Sequence, residues 1–202
     1  MSAPPVVFLP GASGHHRVWE AVAQRLNPSR TTMLVDYPGL GDCAPHGAIT
    51  SLADLYETVM ARLPEHCDLV ALSMGCVLAL RAAIEQAPRI RRLVLVATSG
   101  GADLAPLGAA DWRPKFSAQR PDAPTWFLND RTDLTDRLHL VAAPTLLIFG
   151  DRDPIAPPPV GHFLRGRLPS AELRSVTGGT HDLTQEHATL VAELIDAHLG
   201  PL

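Results

Sequence analysis

The chain has only three cysteines, Cys43, Cys67 and Cys76, an odd number without metal-ligand spacing. That excludes a disulfide scaffold and argues against a structural zinc site. Cys67 and Cys76 lie in apolar segments and read as small buried hydrophobes in a reducing compartment. No apolar run approaches the roughly 18 residues of a membrane span. No charged leader with an apolar stretch precedes the first strand-like segment, so a cytoplasmic location with no membrane partner is expected. Basic clusters are scarce as well. The net charge is −4, and only Arg89, Arg91 and Arg92 stand together, where they read as a solvated face. A nucleic-acid partner is therefore not expected. His46, His66, His139, His162, His187 and His198 are scattered without zinc-like spacing. Gly11 and Gly14 do not complete G-x-G-x-x-G, which removes a dinucleotide reading. Neither a metal nor an organic cofactor is called for.

What is present is ordinary globular material: 202 residues, 46% hydrophobic and 19% charged, enough for one domain over 1–202 with a large core. Short apolar runs alternate with helical patterns. Strands are expected at Val6–Leu9, Thr32–Val35, Leu69–Leu72, Leu93–Ala97, Thr145–Phe149 and Glu172–Val176. Helices are expected at Arg17–Leu26, Ser51–Leu63 (with Ser51 as N-cap), Met74–Gln86, Pro159–Leu168 and Thr184–His198. Strands apolar on both faces, joined by crossover helices, imply about six parallel strands in a three-layer α/β/α sandwich. The segment at about 99–138 breaks the rhythm. It carries Gly100, Gly101, Gly108, four prolines, Trp112 and Trp126, with no clear strand, and reads as a short cap.

Ala71-Leu72-Ser73-Met74-Gly75 joins the third strand to a buried helix. A serine between small residues at −2 and +2, in a strand–turn–helix context, is the nucleophile elbow of a serine hydrolase. The hydroxyl is lifted above the sheet edge by a strained turn. Acyl chemistry then needs a base, a carboxylate to orient it, and N–H donors for an oxyanion. His181, just after the last strand, is the candidate base. Asp153, just after the fifth, is the candidate carboxylate, with Asp151 two residues away and Asp103 after the fourth strand as rivals. Asp182 reads instead as an acid at a helix N-terminus. The backbone N–H groups of Met74 and of Ala12, in the loop after the first strand, are the candidate oxyanion donors. His15, Trp112 and Trp126 are candidate substrate-binding residues. His15 and His16 could equally be a helix-start pair.

Five motifs resemble the α/β-hydrolase superfamily and occur in its order. They are Leu9-Pro10-Gly11-Ala12-Ser13-Gly14, Asp36-Tyr37-Pro38-Gly39-Leu40-Gly41-Asp42, Ala71-Leu72-Ser73-Met74-Gly75, Gly150-Asp151-Arg152-Asp153-Pro154 and Gly178-Gly179-Thr180-His181. The resemblance implies a Ser73–His181–Asp153 triad, its register favouring Asp153 over Asp151. Three departures stand out. Pro10 occupies the family's usual histidine position, which alters the polar support of the first loop. Ala71-Leu72 replaces the commoner Gly-His. The family's N-terminal hairpin looks absent, and an apolar patch left there would mark a homodimer contact. The resulting expectation is hydrolysis of a small-molecule carboxylic ester. Thioester or carbon–carbon hydrolysis, or a non-catalytic ligand-binding homologue, are the alternatives.

Overall fold

The computed structural model describes residues 3–44, 46–121 and 123–201. Six strands form one sheet: β1 (Val6–Leu9), β2 (Thr32–Leu34), β3 (Cys67–Leu72), β4 (Ile90–Val96), β5 (Thr145–Gly150) and β6 (Ala171–Val176). Their order is β2-β1-β3-β4-β5-β6. Every pairing is parallel. The helices are α1 (Arg17–Ala23), α2 (Leu52–Met60), α3 (Gly75–Glu85), α4 (Arg113–Gln119), α5 (Pro158–Arg165), α6 (Leu183–Glu186) and α7 (Ala188–Leu199).

Side chains alternate along each strand, so the central strands divide their apolar residues between two cores. On one face Val7 and Leu9, Leu69 and Ala71, Leu93 and Leu95, and Leu147 and Phe149 pack with α2, α3 and α5. On the other, Val6 and Phe8, Val70 and Leu72, Val94 and Val96, and Leu146 and Ile148 pack with α1 and α7. This is the three-layer sandwich expected from the runs apolar on both faces. Trp19 anchors α1: it is fully buried against Phe8, ring centroids 5.1 Å apart, and its Nε1 donates to the Leu9 carbonyl at 3.0 Å. Ser51 caps α2 by accepting from the Asp54 N–H at 3.1 Å.

The chain runs from β1 outward to β2, then returns past β1 to β3. The loops after β1 and β3 therefore diverge at the switch point of the sheet, where open α/β sheets leave a crevice.

Several local expectations change. The closing helix is two helices, α6 and α7, divided at His187 (φ −126°, ψ 34°). Arg89 and Arg91 do more than face solvent. Arg89 closes the end of α2 by donating to the carbonyls of Met60, Leu63 and Pro64. Arg91 forms a bidentate pair, at 2.9 and 2.5 Å, with Asp68, which is fully buried on β3. The edge strand β2 leaves Met33 and Leu34 partly exposed. Among the described residues the exposed large hydrophobics are Leu140 and Leu190, neither on β2.

Between β4 and β5 the chain forms α4 and three 3-10 turns, at Ala105–Leu107, Trp126–Leu128 and Thr135–Leu140. Phe127, Leu134 and Leu138 bury into the α2/α3/α5 face. Trp112 stacks parallel to Phe127 at 6.2 Å, and Phe116 and Trp126 meet Phe127 edge-on.

Candidate active site

Ser73 stands directly after β3 with φ at +51°, a left-handed conformation that a serine adopts at a cost. The surrounding structure enforces it. The Ser73 N–H donates to the Val96 carbonyl at 2.9 Å, the Cys76 N–H closes back on the Ser73 carbonyl at 3.0 Å, and Thr98 Oγ1 donates to the same carbonyl at 3.3 Å. Ala97, between these supports, is itself left-handed at φ +48°. Thr98 carries no recognisable motif, so its support of the elbow was not visible in the sequence. Gly75 is needed for space, because a Cβ there would overlap the Pro10 carbonyl oxygen and approach Tyr37 Oη to 2.9 Å. Gly11 also passes close by, its would-be Cβ 3.3 Å from that of Ser73.

His181 lies five residues past β6 and reaches both expected partners. Its Nε2 is 3.0 Å from Ser73 Oγ, and its Nδ1 is 2.8 Å from Asp153 Oδ2. Asp153 is 2% exposed, and its other oxygen accepts the N–H groups of Ile155 and Ala156 at 2.8 and 3.0 Å. That fixes the carboxylate plane and satisfies a buried anion. The rival acids do other things. Asp151 accepts the Gly178 N–H at 2.7 Å and so ties the β5 loop to the loop carrying His181. Asp103 is exposed and accepts the Ala105 N–H in a local turn at 3.1 Å. The two loops touch so closely that a Cβ on Gly150 would overlap the Gly179 carbonyl. Glu186 holds the histidine loop from behind by accepting from the Thr180 N–H and hydroxyl. Asp182 stands at the N-cap of α6 without a capping side-chain bond.

Two backbone donors, one next to Ser73 in sequence and one next to Gly11, are unpaired. Among the described residues, neither the Met74 nor the Ala12 N–H donates to a protein acceptor. Met74 N sits at the start of α3, where the helix dipole favours negative charge.

The expected substrate-binding residues separate into two places. His15 Nε2 accepts the Asp42 N–H at 2.9 Å, and its ring fills the space a Gly41 side chain would take. His15 also lines a groove of about 530 Å³ with Ser13, Arg17, Glu20, Arg120 and Gln185. Trp112 and Trp126 belong to the aromatic cluster between β4 and β5. His16 pairs with Asp36, 2.8 Å from both carboxylate oxygens. Burial of Asp36 raises its pKa, but the His16 N–H and ring outweigh it and hold it below the usual range. Among the described residues no three His, Cys, Asp or Glu side chains converge as metal ligands, and no helix is long and apolar enough to cross a membrane.

Residues 6–142 match the model of the alpha/beta hydrolase family. The chain belongs to that family. Among its relatives is the pimeloyl-[acyl-carrier protein] methyl ester esterase of Xanthomonas campestris pv. campestris (strain B100), 28% identical over 98% of this chain and 96% of the relative. The protein of the same name from Nitrosomonas europaea is 26% identical over 85% of this chain and 86% of its own length. A bromoperoxidase from Bacillus anthracis superposes with a TM-score of 0.80 at 20% identity, covering 98% of this chain and 92% of that one. A hydrolase from Pseudomonas aeruginosa PA01 gives 0.79 at 21%, covering 98% and 91%. Likeness at that identity speaks for the fold alone. As an alpha/beta hydrolase, this chain is built on six strands and has no antiparallel strand among its described residues.

Proposed function

We propose that this hydrolase cleaves carboxylic esters through Ser73, His181 and Asp153. The observation that carries the reading is the unbroken chain from Ser73 Oγ to His181 Nε2 (3.0 Å) and from His181 Nδ1 to Asp153 Oδ2 (2.8 Å). His181 takes the Ser73 proton as Oγ attacks the ester carbonyl carbon. The new imidazolium is stabilised by Asp153, and the carbonyl oxygen becomes an oxyanion held by the Met74 and Ala12 N–H groups. His181 then gives its proton to the departing alkoxide, releasing the alcohol and leaving an acyl-serine. Water enters, loses a proton to His181 and attacks the acyl carbon. Collapse returns the proton to Ser73 and releases the acid.

The substrate favoured is a methyl or other small-alcohol ester of an acyl chain, because the two relatives described above are named as methyl ester esterases. In this reading the segment at 99–138 serves as the cap over the site, with the partly buried Trp112, Phe116 and Trp126, held by the buried Phe127, offering an apolar surface to the acyl chain. Methyl esters of increasing chain length, free and attached to acyl carrier protein, test this reading with the wild type and Ser73→Ala. Turnover by the wild type should fall at least about 1000-fold in the variant. Equal rates in both proteins would remove the reading.

A further inference from the structure

Among the described residues Tyr37 Oη is the sole buried side-chain nitrogen or oxygen without a hydrogen-bond partner. The residue is fully buried, and no signal in the sequence separates it from the other apolar residues of the Asp36–Asp42 turn. Burying a hydroxyl unpaired is unfavourable, and phenylalanine would fill the same space without that cost.

Its position is informative. The Tyr37 backbone N–H donates to the Gly14 carbonyl at 2.9 Å, at the far end of the loop after β1. Its ring then runs beneath that loop to the start of α3. There Tyr37 Oη, the Leu9 carbonyl and the Pro10 carbonyl all crowd the point where a Gly75 Cβ would be, with Oη 2.9 Å and the Leu9 oxygen 3.0 Å from it. The Leu9 carbonyl already accepts from Trp19 Nε1. The Pro10 carbonyl accepts from no protein donor among the described residues. An unpaired donor and an unpaired acceptor thus border the same point beside Gly75. Burial, with a further contribution from Cys76 beside it, raises the phenol pKa well above its ordinary value, so the hydroxyl keeps its proton. The Cys76 thiol is itself pushed up to about 12 by burial.

The Pro10 carbonyl is one peptide away from the Ala12 N–H, and the pivot between them is Gly11, which gives the chain its greatest rotational freedom.

We propose that Tyr37 is a positioning residue for the oxyanion site: its hydroxyl closes onto the Pro10 carbonyl oxygen as the tetrahedral oxyanion forms, holding the Pro10–Ala12 run so that the Ala12 N–H meets the charge. Catalytic hydrogen bonds are often open in the free enzyme and tighten along the reaction. The proposal rests on the esterase reading above.

Tyr37→Phe separates the possibilities when three quantities are read together: kcat and KM on a short-chain ester, inhibition by a trifluoromethyl ketone that forms a hemiketal oxyanion with serine, and the melting temperature. The expected result is a fall in kcat of about 10-fold, less than the loss of a direct oxyanion donor, with KM within about twofold. Ketone inhibition should weaken in parallel, while the melting temperature stays level or rises. Unchanged kcat and ketone affinity would overturn the proposal, as would a loss confined to KM. A sharply lowered melting temperature would also overturn it, because the hydroxyl would then have a partner before any substrate binds. A wild type that neither turns over esters nor binds the ketone removes the esterase reading and the Tyr37 role together. An active wild type matched by Tyr37→Phe removes the Tyr37 role alone.

Discussion

Asp153 divides its two oxygens between His181 and its own loop: Oδ2 lies 2.8 Å from His181 Nδ1, and Oδ1 takes two backbone N–H groups. The carboxylate is thereby locked before the imidazole is charged. Asp153→Asn leaves the loop bonds available but presents an amide to Nδ1 and favours the wrong tautomer. Ester turnover should fall roughly 10⁴-fold with little change in stability. Asp151→Asn, which touches only the tie to Gly178, should keep activity within about 10-fold, as expected of a residue that acts only through loop position. Steady-state kinetics on both variants decide the matter, and the opposite ranking would reassign the acid.

Gly75→Ala tests the close approach of the elbow to the first loop. The new methyl group would meet the Pro10 carbonyl, which is backbone and cannot rotate away as a side chain would. Overpacking of this kind costs about 1–3 kcal/mol. The Ala12 and Met74 donors would also be pushed apart, and a misplacement of about 1 Å can cost on the order of 100-fold in rate. Urea denaturation and kcat read the two effects separately. A variant with wild-type kcat would mean that the donors lie elsewhere.

Arg91→Ala leaves Asp68 as an uncompensated charge in the middle of the sheet. The carboxylate is fully buried, and Arg91 also donates to the Leu199 carbonyl at 3.2 Å, tying α7 to β4. Breaking a buried pair from one side costs roughly 3–5 kcal/mol, whereas exposed pairs contribute at most about 1 kcal/mol. Arg91 is itself partly exposed, which places the expected loss at the lower end. The difference in urea midpoints at pH 7 measures it, and a shift indistinguishable from zero would contradict the reading of this pair as structural.

His198 gives a pH signature away from the active site. Burial lowers its pKa from 6.5, opposed by the hydrogen bond to the Pro144 carbonyl and reinforced by Arg92. On acidification the unfolded chain takes up this proton before the folded one does. The stabilisation is therefore present above about pH 6.5 and is lost as pH falls through the lower folded value. The wild type should lose more stability between about pH 7 and pH 5 than His198→Gln does. Parallel stability profiles would show that His198 is not the group responsible.

How much was readable depended on how local the cause was. The elbow depends on residues two apart, Ala71, Ser73 and Gly75, so its pattern survives in one dimension. The strands were legible because apolar runs such as Leu93–Ala97 are buried on both faces, and their ends moved by only a residue or two in most cases. Asp153 could be favoured over Asp151 only through family register. What separates them physically is that Asp151 is consumed by the Gly178 N–H, a contact across 27 residues of sequence. Arg89 and Arg91 looked solvated because a run of like charges gives no hint of a buried Asp68 on the neighbouring strand. The break at His187 has no proline or glycine to announce it. Tyr37 resembled any other buried aromatic, since its significance lies in Pro10 and Gly75, far from it along the chain.

The activation of Ser73 is the claim on which the rest depends. Incubating the wild type and Ser73→Ala with a tagged fluorophosphonate at neutral pH, then locating the adduct by peptide mass spectrometry, tests it most directly. One adduct on Ser73 in the wild type and none in the variant is the predicted result. A well-folded wild type that remains unlabelled, or that is labelled at another residue, would contradict it.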